Sequence, residues 1–240
     1  AVVGMAKKIW LVGIGMGNRD TLTIGAWNIL KNCDCLIGAQ RMLDAFPELT
    51  CRRFAATAPE KIAAYLQEHP EFQTIGVVFS GDVGFYSGAK KLRSLFPEHL
   101  IEECCGISTV AYLCAKLHTP WEDVRLVSAH GQACNLAGEV RTHEKVFVLA
   151  GKASAQDLCK ELCRAGLGGV TVSVGERLSY PEEAITTGPA ERLSGQTFDP
   201  LSALLIQNPA PLSNDTLAFG LPDERFIRGN TPMTKSEVRC

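Results

Sequence analysis

Ser80-Gly81-Asp82-Val83-Gly84-Phe85-Tyr86-Ser87 follows directly on an apolar run, Ile75-Gly76-Val77-Val78-Phe79. The run reads as a buried strand, and two glycines flank a carboxylate at its end. In an open α/β sheet, ligands bind just outside the carboxyl ends of the strands. Glycine there lets backbone pass close to a ligand or turn through positive φ. Asp82 is therefore presented where a ligand belongs, on a loop able to close around it. The same cluster also fits an Asx-type turn capping the helix that follows Ser87. The residues alone leave both readings open.

A second loop narrows the ligand. Ile9-Trp10-Leu11-Val12 reads as the first strand, and Gly13-Ile14-Gly15-Met16-Gly17 follows at once. A dinucleotide fingerprint needs a third glycine where Asn18 stands, opening a helix directly. Here Arg19 and Asp20 intervene, and the helix starts near Thr21 to Thr23. The ribose-binding carboxylate expected about twenty residues on is missing from Leu36-Ile37-Gly38-Ala39-Gln40. The loop is glycine-rich without being a phosphate cradle.

Composition sets the outer bounds. The 240 residues suit one large domain or two small ones, and 46% hydrophobic content suffices for a sizeable core. A net charge of −2 offers no general attraction to nucleic acid or anionic membrane. No apolar run reaches the roughly 18 residues of a membrane span. The first eight residues lack the charged-then-apolar order of a secretion signal, and Met5 reads as the native start. The ten cysteines form no Cys-x-x-Cys pair and no zinc-type Cys/His cluster. Cys159 and Cys163 lie in phase with Ala155, Leu158 and Leu162 and read as buried small hydrophobes. Cys104 and Cys105 adjoin the turn at Gly106. Reduced thiols fit a cytoplasmic enzyme.

Helical and strand patterns alternate along the chain. Thr23 is placed to cap a helix presenting Ala26, Ile29, Leu30 and Cys33 on one face. Further helices are expected near 60–69 and 87–96, and a strand over 100–104. Val110, Leu113, Cys114 and Leu117 form a helical stripe. Such alternation implies a parallel sheet covered on both faces. Thr119-Pro120-Trp121 marks a boundary, because proline ends the preceding helix. Beyond it, strands are expected over 124–128, 145–150, 169–175 and 201–207, with a helix that Ser154 caps and Gly166 ends. The expected organisation is one α/β domain over 1–118, a second over 119–210, and an extended Pro-, Gly- and charge-rich tail over 211–240.

Three motifs, in this order, carry a resemblance. They are Val12-Gly13-Ile14-Gly15-Met16-Gly17 with Leu22-Thr23, the Ser80 to Ser87 loop, and Gly106-Ile107-Ser108-Thr109. Together they resemble the tetrapyrrole methylase superfamily, the class III methyltransferases, with Val83 standing where that family's Gly-Asp-Pro loop has proline. The resemblance covers nearly the whole chain. Two segments narrow it to the enzymes that methylate carbon 5 of corrin precursors. Ser128-Ala129-His130-Gly131-Gln132 is similar to their Ser-Leu-His-Gly-Arg segment, and Leu221 to Arg239 is similar to their tail. In fused members that tail leads into a second methyltransferase, so Cys240 reads as the cut end of a first half. A carbon-15 methyltransferase/decarboxylase domain, fused or separate, is then an expected partner.

The resemblance implies two α/β domains with the active site in the cleft between them, S-adenosylmethionine folded into that cleft, and a homodimer. It implies methyl transfer to carbon 5 of a precorrin or cobalt-precorrin in cobalamin biosynthesis. Asp82 is assigned to the cofactor's ammonium or ribose, and Ser108 and Thr109 to its carboxylate. Phe85, with its neighbour Val83 and with Met16, is assigned to packing on the cofactor. Leu149, Ala150, Gly175 and Ile206 are assigned to an adenine pocket in the second unit. Gly15, Gly17, Tyr86 and His130 are assigned to the substrate, with His130 the one candidate for a proton-handling role. Arg19, Arg41 and Lys152 are candidate partners for substrate carboxylates, each also readable as a plain surface charge. No metal site is implied. Two other classes stay open: a superfamily methylase for a different corrin carbon or of diphthine synthase-like type, and a non-catalytic tetrapyrrole-binding module.

Overall fold

The computed structural model describes residues 7–85, 87–128 and 135–212. A first sheet contains β1 (Lys8–Gly13), β2 (Cys35–Gly38), β3 (Arg52–Ala55), β4 (Thr74–Phe79) and β5 (Ile101–Cys104). Between these strands lie α1 (Ile24–Lys31), α2 (Gln40–Leu43), α3 (Pro59–Glu68) and α4 (Ala89–Arg93). All strand pairs are parallel, in the order β3-β2-β4-β1-β5.

Side-chain alternation along the central strands covers both faces. Ile9, Leu11, Ile37, Ile75 and Val77 pack with Ile62 and Leu66 of α3 and Leu92 of α4. Val12, Leu36 and Val78 pack on the other side with Leu30 of α1, Leu43 of α2 and Phe46. Each such side chain contributes about 1.5–3 kcal/mol relative to leaving it exposed. Thr23 caps α1 as expected, its Oγ1 accepting from Ala26 N–H at 3.0 Å. The edge strand β3, which carries Arg52 and Arg53, has no apolar alternation to announce it. Its Arg53 guanidinium donates to the carbonyls of Leu43, the last residue of α2, and of Phe46 and Leu49 in the segment that follows.

Next in sequence comes α5 (Thr109–Lys116), and then a second sheet. Its elements are β6 (Arg125–Ser128), α6 (Leu136–Thr142), β7 (Lys145–Leu149), α7 (Ala155–Arg164), β8 (Thr171–Glu176), β9 (Ala184–Pro189), α8 (Ala190–Leu193) and β10 (Ser202–Gln207). The strand order is β6-β7-β10-β8-β9. Only β6 and β7 run parallel; β10 is antiparallel to both β7 and β8, and β9 is antiparallel to β8. Leu158, Cys159 and Leu162 of α7 cover one face, against Val148, Val172 and Leu204. Ser154 starts α7 with a full capping box to Asp157. Gly166 follows its end at φ +77°.

The other face of the second sheet is covered by α5. Val110, Leu113 and Cys114 pack on Phe147, Ala203 and Leu205. This helix follows the last strand of the first sheet in sequence, yet it buries its stripe under the second. Among the described residues no helix is long and apolar enough to cross a membrane.

Several cysteines are core residues, as the helical phase of Cys159 implied. Cys33, Cys35 and Cys159 are 6%, 0% and 0% exposed. Burial pushes the Cys33 thiol up to about 12 and those of Cys35 and Cys159 to about 11, from an ordinary 9.0. Raised values favour the protonated, folded form fully below pH 9, and that contribution is lost as pH rises through 11 to 12. Urea unfolding should therefore give a free energy that declines from pH 9 upward. A Cys35→Ala/Cys159→Ala variant should start lower at pH 8 but decline less steeply. Identical slopes for variant and wild type would remove these two thiols as the cause.

Candidate active site

Loops leave the carboxyl ends of β4, β1 and β5 side by side, and backbone meets backbone between them. Gly15 N–H donates to the Gly81 carbonyl at 3.1 Å, and Gly81 N–H donates to that of Gly15 at 2.7 Å. Both glycines have positive φ, +72° and +70°. A Cβ on Gly13 would sit 2.7 Å from Gly81 O and 2.8 Å from Gly106 N; one on Gly106 would sit 2.6 Å from Gly13 O. No side chain fits at these contacts, which is why each loop carries glycine there.

Asp82 fastens the cluster. Its Oδ2 accepts from Gly84 N–H at 2.9 Å, an Asx turn as the sequence allowed, but one that does not cap α4, whose start at Gly88 has no side-chain cap. Its Oδ1 accepts from Gly106 N–H at 2.9 Å, tying the β4 loop to the β5 loop across 24 residues of sequence. Asn18 accounts for the broken dinucleotide pattern. Its Oδ1 accepts from Thr21 N–H at 3.1 Å, and its Nδ2 donates to the Ser179 carbonyl at 2.8 Å. Ser179 Oγ in turn donates to the Met16 carbonyl at 2.8 Å.

Ser179 belongs to the 177–183 loop after β8, which reaches from the second sheet to the first. Arg177 and Ser179 hold positive φ, +44° and +72°, without being glycine. Glu183 anchors the loop to α5. Its Oε1 accepts from Tyr112 Oη at 2.6 Å and Ser179 N–H at 2.8 Å, and its Oε2 pairs with Lys116 at 3.3 Å. Burial pushes the Glu183 carboxyl up, but those three partners outweigh it and hold the group below the usual carboxylate range. The Tyr112 phenol is raised by burial and by Glu183.

A cleft of about 370 Å³ opens between the two sheets, a size that suits a small-molecule ligand. The first sheet lines it at the ends of β2, β3 and β4, with Gly38, Thr57, Phe79 and Ser80. The second lines it with Leu149 and Ala150 after β7, Gly175 on β8, and Ser202 and Ala203 on β10.

Of the residues singled out from sequence, Met16, Phe85, Thr109, Leu149, Ala150 and Gly175 line this cleft. Others sit elsewhere. Asp82 braces loops, as above. Val83 is 7% exposed and packs in the core of the first sheet. Ser108 caps α5, accepting from Ala111 N–H. Ile206 needs a correction. It is 0% exposed and packs under α6 and α7. The strand-end rule holds for strands running toward the cleft, and β10 runs away from it. Its first residues, opposite Gly175 and Leu149, reach the site instead. Gly15 lies in the backbone bridge, and a Cβ on Gly17 would meet Tyr180 Oη at 2.6 Å. Arg19 pairs with Glu48 and lies over the Trp27 ring, and exposed Lys152 lies off the lining. Arg41 does line the cleft. Tyr86 and His130 lie outside the described residues.

Leu178 and Tyr180 also line the cleft and escaped the sequence reading. Their signal was available: Ser179-Tyr180-Pro181 follows a Val-rich strand, at the same kind of strand end that singled out Asp82. The described residues contain no group of three or more His, Cys, Asp or Glu able to hold a metal ion.

A parallel and a mixed α/β sheet facing each other across a largely apolar cleft, with glycine loops on one lip, define a two-sheet α/β enzyme fold with a ligand-sized cleft between the sheets. The chain belongs to the tetrapyrrole (corrin/porphyrin) methylases, whose family model matches residues 8–194. It is 28% identical over 207 residues to a probable cobalt-precorrin-7 C(5)-methyltransferase of Methanocaldococcus jannaschii, covering 83% of this chain and 97% of that protein. It is 25% identical over 244 residues to the decarboxylating precorrin-6Y C(5,15)-methyltransferase of a Sinorhizobium species, covering 96% of this chain and 57% of that protein. Among solved structures, the precorrin-6Y methylase CbiE of Archaeoglobus fulgidus superposes with a TM-score of 0.65 at 21% identity, covering 84% and 97% of the two chains. A Thermus thermophilus uroporphyrin-III C-methyltransferase complexed with S-adenosylhomocysteine gives 0.67 at 18% identity, covering 83% and 92%.

The bracing role of Asp82 predicts a stability defect. Asp82→Ala removes both acceptors. Asp82→Asn keeps one but turns an amide N–H toward a backbone N–H. Each variant should lose about 1–3 kcal/mol of unfolding free energy, the cost of leaving such groups unpaired. Urea midpoints equal to wild type in both would show that the loops hold without the carboxylate.

Proposed function

We propose that the chain transfers a methyl group from S-adenosylmethionine to carbon 5 of a precorrin or cobalt-precorrin macrocycle. The observation that carries this reading is the cleft itself: largely apolar, of small-molecule size, and built from strand ends of both sheets. The likeness to the M. jannaschii protein along 97% of its length supports carbon 5 as the position.

The residues fit the cofactor. Gly175 leaves a flat wall, since a Cβ there would meet Leu178 at 2.8 Å and Leu113 at 3.0 Å. With Leu149, Ala150 and Ala203 this makes a slot suited to a planar adenine. S-adenosylmethionine carries no phosphate, so the loss of a phosphate cradle at Asn18 costs nothing in binding. When bound, it supplies a methyl group on an electrophilic sulfonium.

The protein's contribution is positioning and exclusion of water. Phe85, whose ring lies 5.6 Å from that of Phe147, and Met16 shield the reacting centre. Thr109, at the start of α5, offers a hydroxyl and a helix N-terminus to a carboxylate. A conjugated macrocycle provides its own electron-rich carbon, so no nucleophilic side chain is needed.

Calorimetry tests the cofactor: S-adenosylhomocysteine should bind in the micromolar range and NAD should not. Tight NAD binding without a response to the homocysteine compound would refute the assignment. Mass spectrometry of the corrin product should then show one added methyl and no loss of carbon dioxide. Two added methyls with a missing carboxyl would show that this chain also carries the carbon-15 chemistry.

A further inference from the structure

Arg41 is the charged residue among those that line the cleft. Its neighbours in charge are matched: Arg19 with Glu48, Lys116 with Glu183, and Arg177 with Glu182 and Asp199. Arg41 has a different partner. Among the described residues its Nη1 donates to Tyr180 Oη at 2.6 Å, and its guanidinium carbon lies 5.9 Å from the centre of the Tyr180 ring.

The two side chains come from opposite sides of the cleft. Arg41 stands in α2, just past the carboxyl end of β2 in the first sheet. Tyr180 stands on the 177–183 loop of the second. Gly17, at φ +107°, makes room for the tyrosine hydroxyl, since a Cβ there would lie 2.6 Å from it. The hydroxyl is thus pinned between Gly17 and Arg41. One donor of five faces Tyr180, so the guanidinium keeps a planar fork that suits a carboxylate. Among the described residues the remaining wall is apolar or hydroxylic, so Arg41 is the cation they offer an anion entering this cleft.

We propose that Arg41, held across the cleft by Tyr180, seats a carboxylate of the substrate macrocycle. The proposal rests on the reading of the substrate as a polycarboxylate tetrapyrrole and adds the residue that orients it. The carboxylate of the methyl donor is the other source of the same chemistry. The macrocycle is favoured because Arg41 lies at the β2 side of the cleft, while the adenine slot lies at the β7 and β8 ends.

Two measurements on the wild-type chain and its Arg41→Ala, Arg41→Lys and Tyr180→Phe variants test it. The first is equilibrium binding of uroporphyrin III, a stable polycarboxylate tetrapyrrole, beside calorimetry with S-adenosylhomocysteine. Arg41→Ala should weaken tetrapyrrole binding about tenfold or more. Arg41→Lys should fall between, because it keeps the charge and loses the fork. Tyr180→Phe should weaken it by less than Arg41→Ala. Affinity for the homocysteine compound should stay within about twofold throughout. The second is turnover of the corrin substrate, where Arg41→Ala should raise KM with kcat little changed, as for a contact equally strong before and during reaction.

Unchanged tetrapyrrole binding in Arg41→Ala, or a parallel loss of affinity for the homocysteine compound, overturns the proposal. So does a wild type that binds no tetrapyrrole. Wild type that binds uroporphyrin through Arg41 but leaves carbon 5 unmethylated refutes the preceding functional reading and upholds this one. Carbon-5 turnover with KM unmoved in Arg41→Ala does the reverse.

Discussion

The site depends on one contact, the closure of three glycine loops on each other through bare backbone. Gly13, Gly15, Gly81 and Gly106 come from three adjacent parallel strands, and a methyl group at any of them except Gly81 would meet backbone inside 3 Å. Such proximity brings peptide groups within hydrogen-bonding reach, and the structure uses it in the paired bonds between Gly15 and Gly81. Asp82 can then reach the Gly106 N–H. The carboxylate is at once the end of one loop and the cap of another. The locked loops place Met16, Phe85 and Thr109 at the cleft.

A second set of bonds holds the opposite wall to the first. Asn18, Met16 and Ser179 connect the β1 loop to the 177–183 loop, and Glu183 ties that loop to α5. Left-handed φ at Arg177 and Ser179 is unfavourable for side chains of their type. At Ser179 it persists because the residue is held at three atoms: its N–H by Glu183, its Oγ by Met16 and its carbonyl by Asn18. α5 packs under the second sheet while its start carries Thr109 to the cleft. The two sheets are therefore coupled by the same residues that shape the site.

The sequence made the framework legible wherever burial imposed a period. Ile9 to Val12 and Ile75 to Phe79 alternate between two buried faces and could be read as strands at once. Thr23, Ser154 and Gly166 marked helix ends by chemistry that acts within a few residues. β3 and β9 lacked that signal, since neither contains a buried residue. Ile206 was misplaced because strand direction is a tertiary fact: nothing within residues 202–207 says that β10 runs against β7 and β8. Asp82 was found by its position, but its bond to Gly106 depends on a neighbour 24 residues away. Tyr180 was missed because its meaning comes from Gly17 and Arg41 in the other sheet.

The distribution of charge follows from what a methyl transfer asks of a protein. The donor brings its own electrophile and a conjugated ring brings its own electron density, so ionised groups near the reacting atoms would chiefly add desolvation cost. The acidic group nearest the glycine loops, Asp82, is accordingly turned toward backbone N–H groups, where it stabilises the scaffold and stays off the cleft wall. Glu183 is likewise neutralised by Lys116 and hydrogen-bonded by Tyr112 on the far side of the 177–183 loop. Among the described residues, what remains facing the cleft is apolar surface, a few hydroxyls and Arg41. A flat ring can lie against such a wall in many orientations, so a single fixed cation has an orienting value that a ring of charges would blur. Tyr180 keeps that cation extended across the opening, which lowers the entropy lost when a carboxylate arrives.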